Sequence, residues 1–222
     1  MLKNNFNTIC IIPARAGSKR IKNKNLLKIN GKSLVEICIH QAKKSKVFKD
    51  IILTSDSEKI LKIGKKQKIR CLKRAKNLSR STTSTDDVIS DVISKIEYDF
   101  KNIIILQVTS PNRKKESIRK FLNFCIKKKL DKCLSVSELN DNISNYNRYF
   151  KPLGKNIRRS QDRKPYLYEN GLLYYISKKS FLKDKKISSN KWNFFITNKY
   201  ESVDINDYDD YLNAKELYKL YK

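Results

Sequence analysis

Apolar residues recur along the chain in two alternating rhythms. Thr8 to Pro13 is an unbroken apolar run, and Ser33 to Ser45 follows with Leu34, Val35, Ile37, Cys38, Ile39 and Ala42 on one broad helical face. The same alternation continues: a short strand at Ile51 to Leu53, a helix over 58–66, a weak strand at Ile69 to Leu72, and a helix carrying Val88, Ile89, Val92, Ile93 and Ile96. Ile103 to Leu106 predicts the next strand, Ile118 to Ile126 a helix, and Cys133 to Val136 a further strand. Strands that are apolar throughout, rather than at every second residue, are covered on both faces. The fold class expected is therefore α/β, with a doubly wound, mostly parallel sheet. The rhythm breaks after Leu139. Residues 140–168 are polar and irregular, after which Gly171 to Ile176 and Phe194 to Ile196 read as strands and Asp207 to Tyr221 as a terminal helix. A long irregular segment inside a compact domain usually serves function or a partner. The chain 1–222 thus reads as one domain from which an arm, 139–168, leaves and returns.

Composition narrows the function classes. A chain of 222 residues with 39% hydrophobic positions can bury a core unaided and is too apolar for a disordered tail. No apolar run approaches the ~20 residues that span a bilayer, and the first residues carry no export-type apolar stretch. A cytoplasmic location with no membrane partner is expected. The net charge of +28 raises nucleic-acid binding. Only 11 of the 50 basic residues are arginine, however, and the lysines are spread from Lys3 to Lys222. A nucleic-acid stripe concentrates arginine and aromatics on one element, so no specific nucleic-acid partner is expected, and the field serves to attract small anions. Cysteines 10, 38, 71, 125 and 133 lack metal-type spacing and read as core residues, and His40, the single histidine, has no partner for a triad or a zinc site.

The sharpest local signal closes the first strand: Ile11-Ile12-Pro13-Ala14-Arg15-Ala16-Gly17-Ser18-Lys19-Arg20, continuing through Lys22, Lys24 and Asn25. Ligands of open parallel sheets sit beyond the carboxyl ends of the strands. There Gly17 admits close backbone approach, and Arg15, Lys19 and Lys24 supply the charge a polyphosphate needs. The pattern is neither of the common glycine-rich ATPase or dinucleotide loops. The bland alternative is a basic surface loop.

The stretch IIPARAGSKRIKNKN resembles the signature IPARGGSK followed by KN of the CMP-nonulosonic acid synthetase family, the cytidylyltransferases that activate sialic acid and related nine-carbon ulosonic acids. Leu106 to Arg113 resembles that family's LQPTSPLR, Glu169-Asn170-Gly171 its NG block, and Val203-Asp204-Ile205-Asn206 its IDID. The resemblance implies a Rossmann variant of the nucleotide-diphospho-sugar transferase type with a small dimerisation arm. It also implies CTP and a nonulosonic acid as substrates, Mg2+ as cofactor and a homodimer. Carried over by position, Arg15, Lys24 and Asp204 form the catalytic set. Ala14, Arg15, Gly17, Ser18, Lys19, Lys24, Asn25 and Arg74 bind the nucleotide, joined by Thr82 and Thr85 from a segment similar to the family's LASDTASS. Gln107, Arg113 and Asn170 fall beside the sugar. An arm arginine, with Arg159 the candidate among Arg158, Arg159 and Arg163, reaches the sugar carboxylate of the neighbouring subunit, for which a guanidinium fork suits. Asp204 and Asn206 are the implied metal ligands, with a neutral amide where the family has a second carboxylate. Asp207, Asp209 and Asp210 follow closely enough to compensate, although Asp207 is equally explained as a helix cap. Sister readings are activation of the eight-carbon 3-deoxy-octulosonic acid, whose enzymes typically carry RYGSSR in the first loop, and a non-catalytic nucleotide- or RNA-binding relative.

Overall fold

The computed structural model describes residues 7–145, 148–149, 151–154 and 159–220. β1 (Thr8–Pro13) leads through a basic loop to the small ladder of β2 (Lys28–Ile29) and β3 (Lys32–Ser33). Then follow α1 (Leu34–Ser45), β4 (Asp50–Ser55), α2 (Glu58–Lys66), β5 (Arg70–Lys73), α3 (Thr85–Ser94), β6 (Asn102–Ile105) and α4 (Lys115–Lys127). The chain ends with β7 (Lys132–Leu139), β8 (Tyr166–Ser177), α5 (Lys178–Asp184), β9 (Asn193–Ile196) and α6 (Tyr208–Leu220).

Seven strands form one sheet in the order β5-β4-β1-β6-β8-β7-β9. β8 alone runs against its neighbours β6 and β7, and the other pairings are parallel. The sheet is doubly wound and mostly parallel, as the apolar rhythm predicts. From β1 the chain builds outward to β4 and β5 and then returns to β6 on the other side. Such a reversal opens a crevice beyond the carboxyl ends of the two diverging strands.

The unbroken apolar character of β1 has a direct cause. Cys10 and Ile12 pack with Leu34, Ile37 and Phe121 of α1 and α4, while Ile9 and Ile11 point into a second cluster with Ile89, Val92 and Phe181 of α3 and α5. Every side chain of β1 from Thr8 to Ile12 is therefore inside, each large apolar one contributing roughly 1.5–3 kcal/mol. Ser33 starts α1 with a reciprocal cap: its hydroxyl accepts the Glu36 N–H, and the Glu36 carboxylate accepts the Ser33 N–H at 2.7 Å.

Three boundaries differ from expectation. The helix expected through Ile96 stops at Ser94, capped by Lys95. The strands expected at 133–136 and 171–176 are the inner parts of a much longer hairpin, Lys132–Leu139 with Tyr166–Ser177, so the irregular segment is 140–165. The outer rungs of that hairpin have little core beneath them, and Leu167 and Tyr168 stay exposed, so no buried-strand pattern marks them. α5 was not legible either: it is seven residues long and buries only Phe181. No helix among the described residues is long and apolar enough to cross a membrane.

Candidate active site

A cleft of about 630 Å³ lies beyond the carboxyl ends of β1 and β6, within the size range of small-molecule sites. Six cationic side chains line it (Arg15, Lys19, Arg20, Lys24, Arg74 and Arg80), against one carboxylate, Asp204. Such a ratio in a concave site selects a polyanionic ligand.

The basic loop is braced through its backbone. Asp56, after β4, accepts the Ala16 N–H at 2.8 Å, and the buried Asn25 donates its amide to the Arg15 carbonyl at 2.8 Å. Asn25 thus lines the cleft while its amide nitrogen braces the loop. Arg15 donates to the Arg80 carbonyl at 3.3 Å, Lys24 to the Ile205 carbonyl at 2.8 Å, and Arg74 to the Thr54 carbonyl at 3.0 Å. Among the described residues none of these cations forms an ion pair, so their charge is oriented but not cancelled. Burial lowers the proton affinity of Lys24, Arg20 and Arg15 lower it further, and Asp204 opposes them. Burial likewise lowers that of Arg74. A Cβ at Gly17 would meet no atom within 4 Å, so no packing inside the protein demands glycine there. The space it leaves faces outward.

Opposite the loop, Ser84 and Thr85 line the cleft at the start of α3, where the Ser84 hydroxyl accepts the Asp87 N–H. Ser18 and Gln107 also line it. Thr82 does not; its neighbour Thr83 does. Ala14 is buried beneath the loop, its N–H donated to the Thr54 carbonyl.

Two residues expected beside the sugar lie under the site instead. Arg113 is 2% exposed and each nitrogen of its guanidinium is engaged, donating to the carbonyls of Leu172 and Gln107 and to the Gln41 side chain at 3.1, 2.6 and 3.0 Å. It ties β6, α1 and β8 together from below. Asn170 is 4% exposed and is the hub of a buried polar cluster. It accepts from the Ser135 hydroxyl and donates to Ser137 and Thr197, each within 2.8 Å, with Ser202 at 3.1 Å. That cluster fixes a bulge where the β7–β8 register shifts between Leu134 and Val136, and Gly171, at φ +69°, makes the kink. Arg159 is exposed on the arm and does not line this cleft, and Arg158 lies outside the described residues.

The kink delivers Tyr174 to the cleft wall, a position that the apolar pattern of the strand does not distinguish from its buried neighbours. Its hydroxyl donates to Glu169, and burial together with that carboxylate pushes the phenol well above its ordinary range. Tyr174 therefore stays a proton donor. Thr109, Arg20 and Arg80 were also missed as site residues. Thr109 stands within the LQVTSPNR block and Arg20 within the opening loop, so position marked both, but neither spacing nor charge distinguished them from neighbours.

Asp204 accepts from the Thr109 hydroxyl and from the Asn206 amide nitrogen at 3.0 Å, while Asn206 presents its oxygen to Arg20 at 2.7 Å. Asp210 accepts the Asn206 and Asp207 N–H groups and Asp207 accepts the Asp210 N–H, so both carboxylates cap α6. Among the described residues no cluster of three acidic, histidine or cysteine side chains could cage a metal. Magnesium needs no cage: it is commonly held by one or two carboxylates plus substrate phosphates. Asp204, alone among carboxylates in the cleft, fits an ion that arrives with a triphosphate. All five cysteines are free, four of them buried.

A cationic crevice at the switch point of a doubly wound sheet, with one carboxylate facing it, marks an anion-binding α/β protein. The chain belongs to the cytidylyltransferase family, whose model matches residues 9–220. It is 31% identical, over 93% of its length, to the N-acylneuraminate cytidylyltransferase of Streptococcus agalactiae, and spans about half the length of that protein (52%). It is 28% identical to the pseudaminic acid cytidylyltransferase of Campylobacter jejuni, with 96% of both chains covered. In fold it resembles a CMP:2-keto-3-deoxy-manno-octonic acid synthetase solved with CTP, at a TM-score of 0.73 and 15% identity over 97% of this chain and 99% of that one.

Proposed function

We propose that the protein transfers CMP from CTP to the anomeric hydroxyl of a nonulosonic, sialic-acid-like sugar. The observation that carries the reading is one cleft lined by Arg15, Lys24 and Arg74 and by the carboxylate of Asp204, in a cytidylyltransferase chain with relatives named for N-acylneuraminate and pseudaminic acid. The anomeric oxygen attacks the α-phosphorus in line, the bond from that phosphorus to the bridging oxygen breaks, pyrophosphate leaves, and the hydroxyl proton passes to solvent. No side chain enters a covalent bond. Catalysis is then positioning and neutralisation of charge. Arg15, Lys24 and Arg74 hold the triphosphate, the Thr85 hydroxyl offers a directional contact to the base, and Gln107 and Tyr174 face the sugar. Asp204 would hold Mg2+, which when bound draws charge from the phosphates.

We place this step in the cytoplasm and in a homodimer, with the arm as the contact. Support for the dimer is the individual exposure of Leu153, Leu167 and Tyr168 on the arm and on the hairpin rungs that carry it, together with the exposed Arg159 of the arm.

The test is pyrophosphate release from each nucleoside triphosphate with a panel of ulosonic acids. Release is expected with CTP and a nine-carbon acid only. Release with the eight-carbon acid alone transfers the reading to octulosonate activation, and salt-sensitive RNA binding without any release rejects an enzyme. Asp204→Asn should raise the Mg2+ concentration needed for half-maximal rate; an unchanged Mg2+ titration removes Asp204 as ligand.

A further inference from the structure

Asn206 sits in the middle of a hydrogen-bonded chain across the mouth of the cleft. Arg20 donates to its oxygen at 2.7 Å, its nitrogen donates to Asp204 at 3.0 Å, and the far Asp204 oxygen takes the Thr109 hydroxyl. Both ends of the amide are in use, with opposite polarity. Turning the amide over would set its NH2 against the guanidinium and its oxygen against the carboxylate, so the neighbours fix its orientation. The backbone is fixed as well: the Asn206 N–H is donated to Asp210, the Ile205 N–H to the Thr109 carbonyl, and the Ile205 carbonyl takes Lys24.

We propose that Asn206 is a positioning residue, a neutral bridge that holds the Arg20 guanidinium over the phosphate end of the cleft, and that its oxygen serves Arg20 and not a metal ion. The inference rests on the CTP reading of this cleft. A carboxylate at this position would also hold Arg20, but as an ion pair that cancels its charge, and it would stand beside Asp204 as a like charge. An amide orients the cation and leaves its charge for an incoming triphosphate. Arg20 is exposed on a loop, and among the described residues its side chain donates to Asn206.

The experiment is calorimetric titration of the full chain with CTP and Mg2+, without sugar, alongside electron paramagnetic resonance of Mn2+ bound in the presence of CTP. Asn206→Ala and Arg20→Ala should each weaken CTP about tenfold, as expected for one charge-assisted contact. The double variant should be no weaker than either single, because the two act as one unit. Asn206→Ala combined with Arg15→Ala, which shares no partner with it, should be additive. At CTP concentrations that saturate both proteins, Mn2+ stoichiometry and affinity in Asn206→Ala should stay within about twofold of the parent. Asn206→Asp, nearly isosteric and so the safeguard against misfolding, should also lose CTP affinity. Additive losses in the Asn206/Arg20 pair, a tenfold loss of Mn2+ in Asn206→Ala, or tighter Mn2+ and CTP binding in Asn206→Asp would each overturn the bridge. A parent protein that binds no CTP overturns the reading of the cleft itself, and the bridge with it.

Discussion

The two sides of the cleft are built by different rules. On the side of β4, β1 and β6 the site residues stand on loops at strand ends, and the side chains picked for their chemistry largely face the cleft. On the side of β8, β7 and β9 the wall is the flank of a kinked antiparallel strand, and the polar side chains that looked like ligands, Arg113 and Asn170, are the brackets that hold it. A parallel strand ends once and its loop is the site. An antiparallel hairpin passes the site in mid-strand, so which side chain faces the ligand depends on register and bulges.

The comparison can be broken most decisively at Arg15. Arg15→Ala should lower kcat/KM by about 10²–10³ with a native circular dichroism spectrum, because among the described residues the side chain's hydrogen bond goes to the Arg80 carbonyl. Near-parent turnover would mean that the loop does not hold phosphate. Asn170→Ala should behave in the opposite manner, costing about 1–3 kcal/mol of stability by orphaning its buried partners, with chemical denaturation as the readout. An Asn170→Ala protein of unchanged stability that has lost only sugar affinity would return Asn170 to the substrate.

The nucleotide side also predicts a pH dependence. Lys24 is held below the ordinary lysine value of 10.5, mainly by burial. Its charge is lost as pH rises through that depressed value, so CTP affinity should fall in an alkaline window lying below 10.5, and Lys24→Arg should flatten the fall. For stability the sign is reversed: the folded state binds this proton more weakly than the unfolded chain, so Lys24 disfavours folding while charged and the penalty fades as pH climbs through the same window. The smallest contrast is between two threonines. Thr85→Val should weaken CTP about five- to tenfold, one hydrogen bond's worth, and Thr82→Val less than about twofold, measured by titration.

What the sequence disclosed follows from burial. Strands covered on both faces, such as β1 and β6, carry continuous apolar runs that cannot be mistaken for surface, and the loop after β1 combines glycine with clustered charge. The outer rungs of β7 and β8 face solvent, and α5 buries a single phenylalanine, so neither leaves a hydrophobic trace. In the site, residue type marked what was chemically able to act, but the polarity of Asn170 and Arg113 is identical whether it meets a ligand or a backbone carbonyl. Only their long-range partners decide, and those lie 27–72 residues away along the chain.

The bulge between Leu134 and Val136 has a consequence for how this architecture tolerates change. Inward of it, Tyr174 is paired on both flanks, with Ile105 and with Leu134, so its place in the ladder is set twice over. Outward of it the pairing starts afresh at Val136 and Glu169. The kink divides the hairpin like a joint: the inner rungs alone set the tyrosine's backbone address in the wall, and the appendage pairs in a register of its own.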